Sequence, residues 1–448
     1  MKKIFSITLL LGVAIMFAAC QGEEEDLFDK SAAERLNEVA KTYSDILSDA
    51  SAGWVMEYYP TNRNSDPTGL GYLMLVNFQK NGFVKVGMLN DLTDNLYEED
   101  ESVWEVITDN GPVLSFSTYN SLLHFFSDPA IYDQGNGLSG DYEFVMVDVP
   151  DDHESIMLKG KKRGTYVRLS RLPEGTDFET YLKDVLNFQN SIFPRTAPNF
   201  DYVTLDGKVY TFDEPYTTLP NIYLKGYDAI ANEYHLPFIV TKQKEGYSLR
   251  FRTTLKFDDN EGEQEFIYNP EANIFYGVKN SENFISGAPA SAFFGDAMQT
   301  GHSWNLRYEG EMSQSMKAQI DKLYDELYTG FQSKFKRFNF SINKEGKAEV
   351  AMYYRGINPR TGKELASDSK ATYLFGFETV NDCVKLTYEG PSNTAAENIS
   401  NSVASLQEIL NMFTATYNAK PVESSFNLTN INVTLSDTDK SFVLNYVK

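Results

Sequence analysis

The sequence predicts a mainly β (α+β) protein of two lobes, each an antiparallel sheet or sandwich with one or two helices packed on it. Three observations lead to that class. Most of the chain consists of short runs of Val, Ile, Tyr, Phe and Thr broken by Gly, Asn and Asp, the chemistry of strands and their turns. Turn-forming dipeptides ending in Gly stand between pairs of these runs. Four segments depart from the pattern and carry apolar residues at helical spacing.

The first helix is expected over residues 31–49, where Ser31 and Glu34 stand at capping-box spacing and Leu36, Val39, Tyr43, Ile46 and Leu47 share a face. A hairpin follows at Asn81-Gly82, between YLMLVNF and FVKVGML, because Asn-Gly supplies the positive φ angles of a tight turn. The basic run Lys159-Gly160-Lys161-Lys162-Arg163-Gly164 reads as a hairpin tip between IMLK and TYVRLSR. It is either a solvated turn or a contact for an anionic ligand or acidic neighbour. The second helix, over 177–191, carries Phe178, Tyr181, Leu182, Val185 and Phe188. FPRTAPN, Phe193–Asn199, is neither helix nor strand and marks the lobe boundary.

Beyond that stretch, Asp206-Gly207 joins YVTL to KVYTF, and Glu245-Gly246 and Glu345-Gly346 give weaker versions of the same signal. A third helix over 313–335 carries Met316, Ile320, Leu323, Leu327 and Phe331. The fourth, over 395–417, has Thr394 and Glu397 as a capping box, then Ile399, Val403, Leu406, Leu410 and Phe413. All four stripes are expected to face the core. The division that follows is 1–19, a leader; 20–30, an acidic tether; 31–195, the N-terminal lobe; and 200–448, the C-terminal lobe. The hairpins NFQKNGFVKVGM (77–88) and SINKEGKAEVAM (341–352) share Lys, Gly and Met at the same offsets, and each follows one of the helices. They hint at two lobes of similar build.

The 448 residues include 40 basic and 63 acidic side chains, a formal net charge of -23. Like charge would repel a phosphate backbone, so no nucleic-acid partner is expected. With 28 Tyr, 31 Phe and 42% hydrophobic residues the chain has the apolar content to fold rather than remain disordered.

Lys2-Lys3 precedes the apolar run of residues 4–19, which is shorter than a bilayer-spanning helix and is read as a signal peptide. Phe17-Ala18-Ala19-Cys20 resembles the lipobox of a bacterial lipoprotein, although Phe17 stands where Leu is usual. Acylation of Cys20 would attach several chains, enough for stable anchoring. The following Gln21–Asp26 resembles the acidic export signal of Bacteroidota lipoproteins that face the cell exterior. Only Cys383 then remains as a thiol, so no internal disulfide is expected, and the alternation of Tyr373–Tyr388 suggests that it is a small buried residue.

The phrases EDLFDKSAAERLNE (25–38), GWVMEYYP (53–60), GPVLSFSTYNSLLHFFSDP (111–129), GDYEF (140–144) and LKGKKRG (158–164) together resemble the Bacteroidota lipoproteins grouped as domain of unknown function family 4302. The resemblance covers roughly residues 20–190. It implies an accessory role beside SusC/SusD-like outer-membrane uptake pairs and neighbouring lipoproteins. It implies no catalytic residue.

Aromatic side chains carry the candidate ligand surface. In GWVMEYYP, strand alternation puts Trp54, Met56 and Tyr58 on one face and Val55, Glu57 and Tyr59 on the other. Such a face either stacks on a sugar or planar ligand, or is buried between sheet and helix. His124 lies in an aromatic run with Tyr119, as ligand contact or hydrogen-bonded structural residue. Trp54, Tyr58, Tyr59, Tyr119 and His124 are the expected ligand-binding residues, with His302 and Trp304 of GHSWN as a further rim element.

Enzyme motifs are missing. No HExxH, GxSxG, phosphate-binding GxxxxGK[ST] or strand-borne GxGxxG is present. Asp258–Glu263 places Gly at the fifth position, where an EF-hand loop needs it at the sixth, and reads better as a hairpin turn. No catalytic residue, metal site or cofactor is assigned. The expectation is a lipid-anchored, outward-facing outer-membrane protein that captures or presents a glycan, peptide or metal chelate without catalysis. A hydrolase with paired carboxylates and a structural or adhesive module are the alternatives.

Overall fold

The computed structural model describes residues 30–60, 71–130, 138–193, 196–197, 199–216, 221–224, 235–256 and 261–448. The expected leader, Cys20 and most of the expected acidic tether lie outside them, as do residues 258–260 of the Asp258–Glu263 turn. The fold is mainly β and antiparallel, with short helices packed on the sheets. The sheets close. Three eight-stranded up-and-down barrels follow one another along the chain.

The first barrel comprises β1 (Trp54–Tyr59), β2 (Tyr72–Phe78), β3 (Phe83–Met88), β4 (Glu98–Thr108), β5 (Pro112–Phe116), β6 (Glu143–Asp148), β7 (Ser155–Gly160) and β8 (Tyr166–Arg171). The second comprises β9 (Phe200–Val203), β10 (Val209–Tyr216), β11 (Asn221–Leu224), β12 (His235–Gln243), β13 (Gly246–Leu255), β14 (Glu263–Asn269), β15 (Ile274–Gly277) and β16 (Phe284–Ser286). The third runs through β17 (Ser303–Arg307), β18 (Ser333–Ile342), β19 (Ala348–Gly356), β20 (Ser369–Val380), β21 (Cys383–Pro391), β22 (Thr416–Pro421), β23 (Asn430–Leu435) and β24 (Ser441–Val447). Each closes by pairing its first strand with its last, as in Trp54↔Arg171, Val203↔Phe284 and Trp304↔Tyr446.

The expected C-terminal lobe therefore holds two barrels, and neither lobe is a sandwich. Alternation at period two is the same for a strand of a sandwich and one of a barrel. Closure is a contact between segments more than eighty residues apart, and no local pattern reports it.

A helix precedes each barrel: α1 (Ala32–Ser48), α3 (Phe178–Ile192) and α4 (Ala290–Gln299). The single turn α2 (Ser121–His124) lies within the first barrel; α5 (Gln314–Phe331), α6 (Thr394–Ser400) and α7 (Ala404–Phe413) decorate the third. Ser31 and Glu34 form the expected capping box of α1. The fourth expected helix is two, α6 and α7, and Asn393 rather than Thr394 caps the first by accepting from the Ala396 amide. α5 stops at Phe331 because Gln332 turns left-handed (φ 46), and the chain enters β18 at Ser333. α4 escaped the sequence reading because it is apolar nearly all round, with Gly295 held against Val384 where a Cβ would approach Cγ2 to 2.8 Å.

A tryptophan locks the helix to its barrel twice. Trp54 Nε1 donates to the Leu47 carbonyl of α1 (2.9 Å), and Trp304 Nε1 to the Phe294 carbonyl of α4 (3.2 Å). Both indoles are fully buried. The four expected Gly hairpins form, but Asn81-Gly82 is a three-residue loop in which Gly82 alone takes positive φ (84°). The Glu345-Gly346 loop repeats it bond for bond, since Gln79 and Asn343 each donate across the hairpin and accept from the glycine amide. Both loops join the second and third strands of their barrels, so the two hairpins occupy equivalent places. The helices paired with them do not correspond: α1 precedes its barrel, whereas α5 lies between the first two strands of the third. Cys383 is partly exposed after the Asn381-Asp382 turn, its Sγ 3.4 Å from Asn418 Oδ1.

The first two barrels share a carboxylate clamp. Asp141, just before the sixth strand β6, is buried and accepts from the Lys162, Arg163 and Thr165 amides and the Thr165 hydroxyl at 2.8–3.2 Å. This fixes the basic tip between β7 and β8. Glu263, opening the sixth strand β14, is buried and accepts from the Lys279 and Asn280 amides (2.9 and 3.2 Å) in the loop between β15 and β16. In each case a glycine ends the seventh strand: a Cβ on Gly160 would lie 2.0 Å from Asp141 Oδ2, and one on Gly277 2.6 Å from Glu263 Oε2.

The barrels also join one another. Glu57, on the outward face of β1, is buried between Arg168 Nη1 (2.9 Å) and Arg250 Nε (3.5 Å), and Arg250 reaches Glu265 (2.8 Å). Phe188 of α3 stacks on Tyr247 of the second barrel (3.9 Å). Phe426, in the loop between β22 and β23, is buried in the core of the second barrel, 4.8 Å from Phe200 and 5.5 Å from Phe275.

Candidate functional site

Three of the five expected ligand residues belong to the core. Trp54 and Tyr58 point into the first barrel, and Tyr59 is buried on its other side with its hydroxyl on the Arg250 carbonyl (3.2 Å). Tyr58 packs on Phe126 (4.9 Å), and its hydroxyl donates to the Asp141 carbonyl and accepts from the Asp141 amide. No ring face is left for a ligand, so the burial alternative holds for GWVMEYYP. The reason is closure: the inner face of β1 meets the barrel interior and its outer face meets the second barrel. Trp304 is likewise buried, while His302 lies 5.1 Å from the Tyr446 ring.

Tyr119 and His124 come together, and a third ring joins them. Tyr119 is 65% exposed and Tyr142 41%, and the partly buried His124 lies between them. The ring centroids are 5.2 Å apart for Tyr119–His124 and 4.6 Å for His124–Tyr142, the second pair nearly parallel at 22°. The result is a three-rung aromatic ladder on the surface of the first barrel.

Local chemistry fixes the His124 rung and the backbone that carries the other two. Asn120, fully buried, caps α2 by accepting from the Leu122 and Leu123 amides (3.2 Å each). Its own amide donates to His124 Nδ1 (3.1 Å), which leaves the ring proton on Nε2. Asp100 accepts from the Ser121 amide and hydroxyl (2.7 Å each) and pins the helix start to β4. Burial depresses the His124 pKa below the ordinary imidazole value and favours the neutral ring. Tyr142 is placed by the pairing of β5 with β6, where the Phe116 amide donates to its carbonyl. The sequence signal missed here was GDYEF, whose Tyr142 follows the clamp residue Asp141 directly.

Among the described residues, concavities lie elsewhere. One, of about 690 Å³, runs between α1, the Gly82 turn and β4, and includes Lys41, Asp45 and Lys80, each already in an ion pair. Another, of about 570 Å³, lies on the third barrel between β17, the start of β18 and α5. The basic tip at Lys159–Gly164 is a clamped turn whose Lys161 pairs with Asp109 (2.6 Å) and Glu143 (3.4 Å). Among the described residues no cluster of His, Cys, Asp and Glu is arranged to hold a metal ion.

No curated protein matches this chain. Among solved structures, P47 from Clostridium botulinum A2 aligns over 92% of this chain and 95% of its own at 10% identity, with a TM-score of 0.14. A tryptophan-to-alanine mutant of the vaccine antigen Transferrin Binding Protein B from Haemophilus parasuis Hp5 aligns over 88% and 75% at 8% identity, with a TM-score of 0.12. Superpositions at that level carry no argument about fold or function. The model of the family described as Domain of unknown function (DUF4302) matches residues 24–270, more than half the chain, through the first barrel and to the end of the sixth strand of the second, and the chain belongs to that family.

Proposed function

We propose that this protein is an accessory, non-catalytic lipoprotein, anchored in the outer membrane through lipidated Cys20 and facing the cell exterior. It captures or presents a nutrient to a SusC/SusD-like importer. The observation that supports this reading is the Tyr119–His124–Tyr142 ladder, in which two exposed rings flank a neutral imidazole on a rigid barrel wall. Exposed, preorganised aromatic faces suit the apolar face of a sugar or a planar chelate, because little side-chain entropy is lost on stacking. Of the nutrient classes considered, a glycan fits such a surface best.

A carboxylate-based hydrolase gains no support from the geometry. Burial pushes the Glu57 carboxyl up, against the pull of Arg168 and Arg250, but Glu57 sits in the joint between two barrels and not in a cleft. The test is a thermal-shift screen of the protein starting at residue 21 against neutral glycans, peptides, haem and siderophores. A ligand at 100 times its dissociation constant adds about 2.7 kcal/mol of stability. Tyr119→Ala and Tyr142→Ala should abolish the shift without lowering the ligand-free melting temperature appreciably. A panel that produces no shift, or a shift that survives both substitutions, refutes the ladder as the binding surface.

A further inference from the structure

We propose that the groove on the third barrel binds an oxyanion, the carboxylate or sulfate of an acidic sugar. The proposal is independent of the ladder reading. Its origin is a single extra residue in β18. Along SKFKRFNFSI, Phe335 and Phe338 point into the barrel, three positions apart instead of two. The register shifts between Phe335 and Arg337, so Lys336 is the added residue of a bulge. A bulge re-aims side chains. Here it puts Lys334, Lys336 and Arg337 outside together, where regular alternation would have put only two residues of that stretch.

The neighbouring strand adds Arg307, which stands directly opposite Arg337 in the ladder. Like charges facing each other across strands are destabilising. Arg337 is neutralised by Asp368 (3.0 Å) and stacks over Tyr353 (4.0 Å). Asp368 also serves Arg355 (2.7 Å), and Glu364 is shared by Lys334, Lys336 and Arg355 at 3.4, 2.9 and 3.8 Å. Arg307 is exposed and has no ion-pair partner among the described residues. With Glu309 and the Lys317–Asp321 pair included, six cations face four carboxylates in and beside a groove of about 570 Å³. That local excess stands out in a chain whose formal net charge is -23. The repulsive field of the remainder is screened beyond about 10 Å at 0.1 M salt.

Next to Arg307 the groove is lined by an aromatic pair. Tyr308 is held between Lys317 Nζ (3.6 Å from the ring centroid) and Tyr324 (4.7 Å, 19°), with its hydroxyl on Asp321 (3.0 Å). A planar guanidinium without a counterion, beside an aromatic wall in a groove of this size, fits a sugar ring that carries a carboxylate or sulfate.

Isothermal titration of the protein starting at residue 21 tests this with inorganic sulfate, an oligogalacturonate, a sulfated disaccharide and a neutral oligosaccharide. The acidic sugars should bind, more weakly as salt is raised, and which of the two binds identifies the oxyanion. Arg307→Gln should weaken binding by about tenfold or more, the loss expected of one charged hydrogen-bonding pair. Arg307→Lys should retain part of it. Because Arg307 is exposed, the ligand-free melting temperature should stay unchanged in both variants, separating lost binding from lost folding. Failure of both acidic sugars to bind, binding indifferent to Arg307→Gln, or equal binding of the neutral sugar overturns the proposal. Inorganic sulfate binding as tightly as the sugars overturns the sugar part of it.

Discussion

Gly160→Ala offers a direct test of the Asp141 clamp. Gly160 does not need positive φ, so alanine brings no backbone strain there, and the effect is steric. The added Cβ would lie 2.0 Å from Asp141 Oδ2, 2.5 Å from its Cγ and 2.6 Å from the Thr165 amide nitrogen. The carboxylate must move away from the turn it grips while remaining in a site where it is 4% exposed. Hydrogen bonds to a charged group contribute about 1.5–3 kcal/mol each, and the exposed turn amides recover part of that from water. A net loss of about 3–5 kcal/mol follows, the range seen when a buried charge loses its partners. At about 2–4 °C per kcal/mol for a domain of this size, calorimetry should show the first barrel melting roughly 6–20 °C lower. Hydrogen exchange should speed up at the Lys162, Arg163 and Thr165 amides. Gly330→Ala is the control: it lies in α5 with nothing within 4 Å of the new Cβ, and should stabilise by about 0.5–1 kcal/mol. Melting within about 2 °C of the parent, with the turn amides still slow to exchange, would refute the clamp.

Other outcomes follow from the same geometry. Trp54→Phe and Trp304→Phe each leave a helix carbonyl without its indole donor, and urea unfolding should show losses of about 1–3 kcal/mol. Phe426→Ala empties a site in the floor of the second barrel; a loss of about 3–5 kcal/mol and faster proteolysis between the second and third barrels are expected. Glu57→Ala takes the carboxylate from Arg168 and leaves Arg250 with Glu265 alone, and should cost about 1.5–3 kcal/mol, measured by denaturant unfolding. His124 binds its proton less readily folded than unfolded, so its contribution is present above the ordinary value of 6.5 and is lost as pH falls below it. Stability measured from pH 7.5 down to pH 5 should decline less steeply in His124→Gln than in the parent, and an equal slope would exclude His124 as the cause.

The local elements were legible in the sequence because each rests on neighbouring residues. Ser31 and Glu34 cap α1, and the glycines at 82, 207, 246 and 346 turn their hairpins, all through contacts within a few positions. The failures at the candidate site share one cause: long sequence separation. Nothing in WVMEYY indicates that its outer face meets a second barrel, so Tyr59 resembled a candidate contact until Arg250, some two hundred residues on, covered it. Tyr119 and His124 were found because they lie close in sequence, whereas Tyr142 required the pairing of β5 with β6. The groove on the third barrel had a visible trace: the two-residue gap between Phe335 and Phe338 breaks an otherwise regular alternation.

The seating of Phe426 has a consequence for the order in which the chain can mature. A nascent first barrel has all its strands once Arg171 has emerged, because β8 supplies the partner of β1. The second barrel has all its strands by Ser286, yet its floor stays open until Phe426 is made, when most of the third barrel has already been synthesised. During that interval Phe200 and Phe275 have Phe193 against them but not the Phe426 ring. A fragment cut after β16 would keep every strand of the second barrel and still expose that apolar floor, so a dissection guided by strand boundaries would yield an aggregation-prone piece. The second and third barrels are better handled as one unit of synthesis, and the first as the one to isolate.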